Sequence, residues 1–165
     1  MYRVFCQAPA LDRGALSAAA RRYGSMDVAL SSLPPAAGYS ERLDAVLTAR
    51  DERGSFRLCV RSRTDADLLD ARRAEELSRA AGMAALAERC PTVLEVAVLA
   101  STGEPETTTA PNEAAHEELL LELCALLAFV ALGPILPPDG SALFGVRGAR
   151  ERAERLRAAS ELIMR

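Results

Sequence analysis

The chain has no lysine and no tryptophan, and it contains a single histidine among 165 residues. All 20 of its basic residues are therefore arginine. Together with the abundance of alanine, this choice indicates a GC-rich genome and hence a bacterial source. It also has a physical consequence, because each arginine presents a planar fork of donors that suits carboxylates and phosphates.

Metal-ligand patterns are missing as well. The four cysteines are far apart in the sequence, and no two of them have the spacing of a metal site. His116 has no second histidine with which to form a His-Glu-x-x-His zinc motif. We therefore predict no metal, no cofactor and no catalytic residue.

The cysteines also indicate a compartment. Their neighbours are mostly apolar, which is typical of small buried thiols in a reducing environment. The first residues, MYRVFCQAP, lack the charged region and apolar run of a signal peptide. We expect a cytoplasmic protein.

The most apolar stretch is LLLELCALLAFVALGPILPPDG, residues 119–140. Its uninterrupted apolar run covers only ten residues, 123–132, between Glu122 and the Gly133-Pro134 pair. A membrane helix needs about 20 mostly apolar residues. The stretch therefore predicts a buried helix over residues 113–132 and no membrane contact. A helix seated partly in a subunit interface is the alternative.

Charge and aromatic content argue against nucleic acid as a partner. The net charge is −3 and the pI is about 5.3, so the chain has no global attraction for polyanions. A sheet that recognises RNA stacks bases on two or three aromatic side chains. We can place only Phe5 on the corresponding face of the predicted sheet.

Hydrophobic periodicity predicts the order β-α-β-β-β-α-β, a linker, a helix, a short β hairpin and a final helix. Thr64 and Asp67 are typical of a helix cap and predict the start of the second helix, which we expect to run to about Cys90 with a bend at Gly82. This order indicates the α+β class, with a mostly antiparallel sheet of about four to six strands and the helices packed on one face. We predict a single domain over residues 1–165. It consists of an α/β core at 1–100, a polar linker at 101–112 and a helical part at 113–165.

An arginine-rich sheet face is the first candidate site. Side chains alternate along a strand, so apolar residues such as Leu43, Leu58, Val60, Val96 and Val98 are predicted to point inward, and their polar neighbours collect on the opposite face. Such a face either binds a partner or is solvated, with cross-strand Arg–Asp pairs. We expect the double change Arg57→Glu and Arg61→Glu to abolish partner capture without unfolding the domain. The predicted partner-binding residues are Arg42, Asp44, Arg50, Arg57, Arg61 and Arg63.

The start of the last helix is the second candidate. Free N–H groups at a helix start attract anions, and a nearby arginine could clamp one. The alternative is a tight turn with a glycine close to the helix. The residues of this predicted anion site are Gly145, Arg147, Gly148 and Arg150.

These patterns favour a non-catalytic cytoplasmic protein–protein interaction module, such as an adaptor, an inhibitor or an immunity-type binder. Its partner would be another protein or a second copy of the chain. The alternative is a small anionic-ligand-binding protein or an enzyme, with the ligand at the start of the last helix.

Overall fold

The computed structural model describes residues 1–50, 52–99 and 110–163, which contain six strands and five α-helices. In chain order these are β1 (Tyr2–Cys6), α1 (Arg13–Ala19), β2 (Asp27–Ser32), β3 (Glu41–Ala49), β4 (Glu52–Ser62), α2 (Asp65–Ser78), α3 (Met83–Glu88), β5 (Thr92–Val98), α4 (Ala110–Ala131), β6 (Ile135–Leu136) and α5 (Val146–Ile163). Residues 101–109 of the predicted linker lie outside the described residues.

The six strands form one sheet in the order β2-β3-β4-β5-β1-β6, and every neighbouring pair is antiparallel. The predicted α+β class and antiparallel sheet are confirmed. β2 occupies one edge, and the two-residue strand β6 occupies the other. The expected hairpin that follows α4 is limited to a single bridge between Ile135 and Phe144, while the other side of β6 pairs with β1.

The main core lies between the sheet and α4. The predicted inward residues of β3, β4 and β5 are buried, with Leu43, Leu58 and Val96 fully enclosed, except for Val98 at the end of β5, which is 41% exposed. α4 packs against this face, and α5 covers α4 from the outside. Among the described residues, no helix is long and apolar enough to cross a membrane. Phe129 and Leu132 remain exposed near the end of the apolar stretch.

α2 and α3 pack on the opposite face of the sheet, which differs from the expected placement of all helices on one face. Phe5 of β1 and Val93 of β5 point to this second face and are fully buried against Ala71 and Ala74 of α2. Consecutive apolar residues in β1 and β5 are typical of strands covered on both sides. Phe5 lies on the predicted outer face, but α2 covers that face here, where the sequence predicts a solvated or partner-binding surface.

Local signals explain how α2 begins and ends. Thr64 and Asp67 form a capping box, in which each side chain bonds to the backbone N–H of the other residue. The helix was predicted to continue to Cys90 with a bend at Gly82. It stops instead at Ser78 and restarts at Met83, because Arg79 and Gly82 adopt left-handed backbone angles, φ 55° and 91°.

Candidate functional site

A network of charged side chains lies where α2 crosses the sheet. Its centre is Asp67, which is only 1% exposed. Arg61 of β4 donates two hydrogen bonds to the Asp67 carboxylate, at 2.6 and 2.8 Å. Arg3 of β1 donates a third at 2.8 Å. Since Asp67 belongs to α2 and both arginines belong to the sheet, these bonds fix the helix on the strands.

A second carboxylate extends the network across the sheet. Glu95 of β5 is buried and accepts a bond from the Arg61 Nε at 2.6 Å. Its other oxygen accepts a bond from the Tyr39 hydroxyl at 2.9 Å, which holds the loop between β2 and β3 in place. Arg3 also bonds Asp70 at 2.7 Å. Both arginines therefore serve two carboxylates each.

The protonation states in this network are held firmly. Burial opposes the charge on Asp67, but bonds from Arg61, from the Thr64 backbone and from Arg3 outweigh it, and the pKa of that carboxyl lies well below its usual range. The bonds to Asp67 raise the pKa of Arg61 above its ordinary value. The bond to Glu95 raises the pKa of Tyr39. The arrangement favours fixed ion pairing over proton transfer.

Only part of this outer face lies beneath α2 and α3. We call that part the covered half; it comprises the outward residues of β1 and β5 together with Arg61. The outward residues of β2, β3 and the rest of β4 form the open half, which carries no helix among the described residues. The side chains of the open half include Ala29, Ser31, Arg42, Asp44, Thr48, Arg53 and Arg57.

An exposed ion pair marks the centre of the open half. The Arg57 Nε lies 3.0 Å from Asp44 Oδ1 across β3 and β4, and these side chains are 35% and 32% exposed. The Asp44 bond raises the pKa of Arg57. Arg42 is half-buried and makes a long contact of 3.4 Å to the Pro34 carbonyl. These groups keep donors and acceptors that a partner can reach.

The structure therefore separates the six residues predicted for partner binding. Arg42, Asp44 and Arg57 lie together on the open half. Arg61 belongs to the network under α2 and is not available to a partner. The predicted test with Arg57→Glu and Arg61→Glu is therefore wrong, because Arg61→Glu would place a third acid beside Asp67 and Glu95 and destabilise the fold.

The other two predicted residues lie elsewhere. Arg63 donates to the carbonyls of Ala87, Glu88 and Cys90 at 3.1, 2.6 and 2.8 Å, where α3 ends. Arg50 lies in the turn between β3 and β4 and pairs across the inner side of the sheet with α4.

A groove of about 350 Å³ lies beside Arg50, between the β3–β4 turn and the facing ends of α4 and α5. Arg50 reaches Glu118 and Glu122 of α4 at 3.5 and 3.2 Å. Arg157 of α5 bonds to the same two carboxylates, at 2.7 and 3.0 Å. Two arginines and two glutamates neutralise each other here and tie α5 and the turn to α4.

The predicted anion site lies at the start of α5. Arg147 is 93% exposed on its side chain and bonds to Glu151 one turn along the same helix, at 2.8 Å. Arg150 is exposed, and Gly148 lies close to the Phe144 ring. The four residues are neighbours, but the Arg147 guanidinium is directed along its own helix, toward Glu151.

Sequence reasoning missed the role of Asp67, Glu95 and Tyr39. Thr64 and Asp67 were identified as a helix cap, and that cap was one available signal. The other was the row of charges that β1, β4 and β5 place on one face, because a partly buried arginine needs a carboxylate partner. Joining the two signals requires knowing which face α2 crosses.

Comparison with protein-family models, with curated proteins and with solved structures finds no match to this chain.

Proposed function

We propose that this protein is a non-catalytic protein-binding module, of the adaptor, inhibitor or immunity type, that contacts its partner through the open half of the sheet. One observation carries the proposal: the helices cover the outer face over β1 and β5 and leave it bare over β2 and β3. Charges of both signs remain reachable there, including Arg53, Arg57 and Asp44.

The chemistry of this surface suits a protein partner with mixed charge. Arginine is enriched at interfaces because its fork binds carboxylates and backbone carbonyls in a fixed geometry. The small residues Ala29 and Ser31 on β2 allow close approach beside the charged strands. Cys59, partly exposed on the same face, and the buried Cys6, Cys90 and Cys124 are all unpaired, which supports action in the reducing cytoplasm.

Affinity purification from the native host with mass spectrometry tests this function. The binding variant is the double change Arg53→Glu and Arg57→Glu, and the matched control is Arg73→Glu with Arg155→Glu, two exposed arginines on α2 and α5. The same proteins should be enriched by the native chain and by the control and lost with the binding variant. Retention of every enriched protein by the binding variant would overturn the proposed site.

A further inference from the structure

The edge strand β2 offers unused backbone groups. Within the described residues its only strand neighbour is β3. The Leu33 N–H donates to the Arg42 carbonyl at 2.9 Å, which fixes the alternation of bonded and non-bonded pairs along the two strands. The residues whose N–H and C=O groups point away from the sheet are therefore Val28, Leu30 and Ser32.

This edge also lacks the usual protection against strand addition. Natural edges are guarded by central charges, prolines or bulges. Residues 28–32, Val-Ala-Leu-Ser-Ser, contain no charge and no proline, and their register with β3 is continuous. Val28 and Leu30 are only half-buried, so their apolar side chains end at the open edge. Pro34 and Pro35 stop the pairing just beyond the strand.

We propose that β2 pairs antiparallel with β2 of a second copy of this chain, across a two-fold axis at Leu30, and joins the two sheets into one. This register sets Leu30 opposite its own copy and Val28 opposite the second copy's Ser32. The backbone N–H and C=O groups of Val28, Leu30 and Ser32 all point to the open edge, so the pairing forms about six backbone hydrogen bonds. Val28 and Leu30 of both copies meet on the inner side.

Charge complementarity singles out a second copy as the occupant. Asp27 is 81% exposed on its side chain, and its nearest cation, Arg21, is 3.7 Å away. In the proposed register Asp27 faces the second copy's Leu33, whose neighbour on β3 is the second copy's Arg42. Asp27 and Arg42 both point to the outer face, so two symmetry-related ion pairs form across the β2–β2 interface.

Pairing of β2 with its copy would also extend the open half. The outward residues of β2, β3 and β4 from both copies would form one continuous surface, and α2 and α3 of each copy would flank it at its two ends. The proposal stands on the strand edge and does not depend on which protein the open half captures. A chain that captures a partner as a monomer would overturn the dimer and leave the proposed function intact.

Sedimentation equilibrium of the full chain, from micromolar to sub-millimolar concentration, tests the β2–β2 pairing. The mass should rise with concentration from 17.6 kDa toward twice that value. Leu30→Pro removes an N–H that faces solvent in the monomer, which an edge strand tolerates, and should leave a folded chain that stays monomeric. Circular dichroism and thermal unfolding check the fold of each variant.

A charge swap supplies the matched control. Asp27→Arg and Arg42→Glu should each weaken the dimer about tenfold, since each opposes like charges at two symmetric positions. The double variant should recover most of the native affinity. Two results would overturn the proposal: a native chain that stays monomeric, including one whose edge takes a strand from another protein, or a dimer that neither Leu30→Pro nor the single charge changes weaken.

Discussion

Two arginines of β4 that point to the same face show how a helix changes the role of a charge. Arg57 pairs with Asp44 on β3, and both side chains are about one-third exposed. Arg61, four residues on, pairs with Glu95 on β5, with side chains 17% and 8% exposed. Each pair joins an arginine of β4 to a carboxylate on a neighbouring strand. Arg61 differs because α2 brings a second carboxylate, Asp67, down onto it.

Helix cover, and not residue type, divides this face into a part that stabilises the fold and a part that solvent can reach. A solvated cross-strand pair contributes about 0 to 1 kcal/mol to stability. A buried pair costs several kcal/mol when one partner is removed, because the other charge loses its compensation. The covered half should therefore respond to substitution through stability, and the open half through binding.

Removing the carboxylate at the centre of the covered half should have the largest effect. Asp67→Asn keeps the shape of the side chain and leaves Arg3 and Arg61 without their shared charge. We expect the free energy of unfolding to fall by about 3 kcal/mol, measured by urea denaturation.

Asp65→Asn is the matched control for that change, since Asp65 is an exposed acid in the same first turn of α2. It should cost about 0.5 kcal/mol through its interaction with the helix dipole. Equal losses for the two variants would contradict the structural role of Asp67.

Acid should weaken the covered half through the same carboxylate. The folded-state pKa of Asp67 lies below its ordinary value of 3.8, so ionised Asp67 stabilises the fold fully above that value. This stabilisation is lost as the pH falls from about 4 toward the lower folded-state pKa. Urea midpoints measured from neutral pH down through this range should fall more steeply for the native chain than for Asp67→Asn. Parallel curves for the two proteins would count against this account.

Arg63 should have an intermediate effect, because it serves the covered half by another route. Its guanidinium satisfies three backbone carbonyls where α3 ends, and Arg63→Ala leaves them to water or unpaired. We expect a loss of about 1 to 2 kcal/mol in the free energy of unfolding. A loss below about 0.5 kcal/mol would show that solvent replaces these bonds at no cost.

Arg57→Ala on the open half should have the smallest effect on stability, about 0.5 kcal/mol or less, because the Arg57–Asp44 pair is partly solvated. Thermal unfolding should change by no more than a few degrees. If Arg57→Ala destabilised the protein as much as Asp67→Asn, the division of the face into two halves would fail.

Much of the fold could be predicted from local patterns. Alternation in β3 and β4 identified Leu43, Leu58 and Val60 as inward residues, and all three are fully buried. The length of the apolar run before Gly133-Pro134 predicted a buried helix, which α4 forms over most of that run. The start of α2 followed from Thr64 and Asp67, since a capping box is a property of a few neighbouring residues.

The candidate site was harder to predict, because it depends on which face α2 crosses after β4. The pattern of α2 is compatible with either face, so the sequence left Arg57, Arg61 and Arg63 equivalent. In the tertiary structure Arg57 forms a surface ion pair, and Arg61 forms a buried ion pair that links α2 to the sheet. Arg63 caps the end of α3. The fully buried Phe5 held the missing information, since an aromatic residue on that face of β1 needs a cover.

Thiol labelling resolved by residue tests the division of the outer face most directly. Cys59 is partly exposed on that face of β4, whereas Cys90 is fully buried under α2 and α3, where burial raises the pKa of its thiol to about 11. With each rate divided by its value in the urea-unfolded chain, Cys59 should react readily and Cys90 should stay protected. Equal normalised rates for Cys59 and Cys90 in the folded protein would contradict the account.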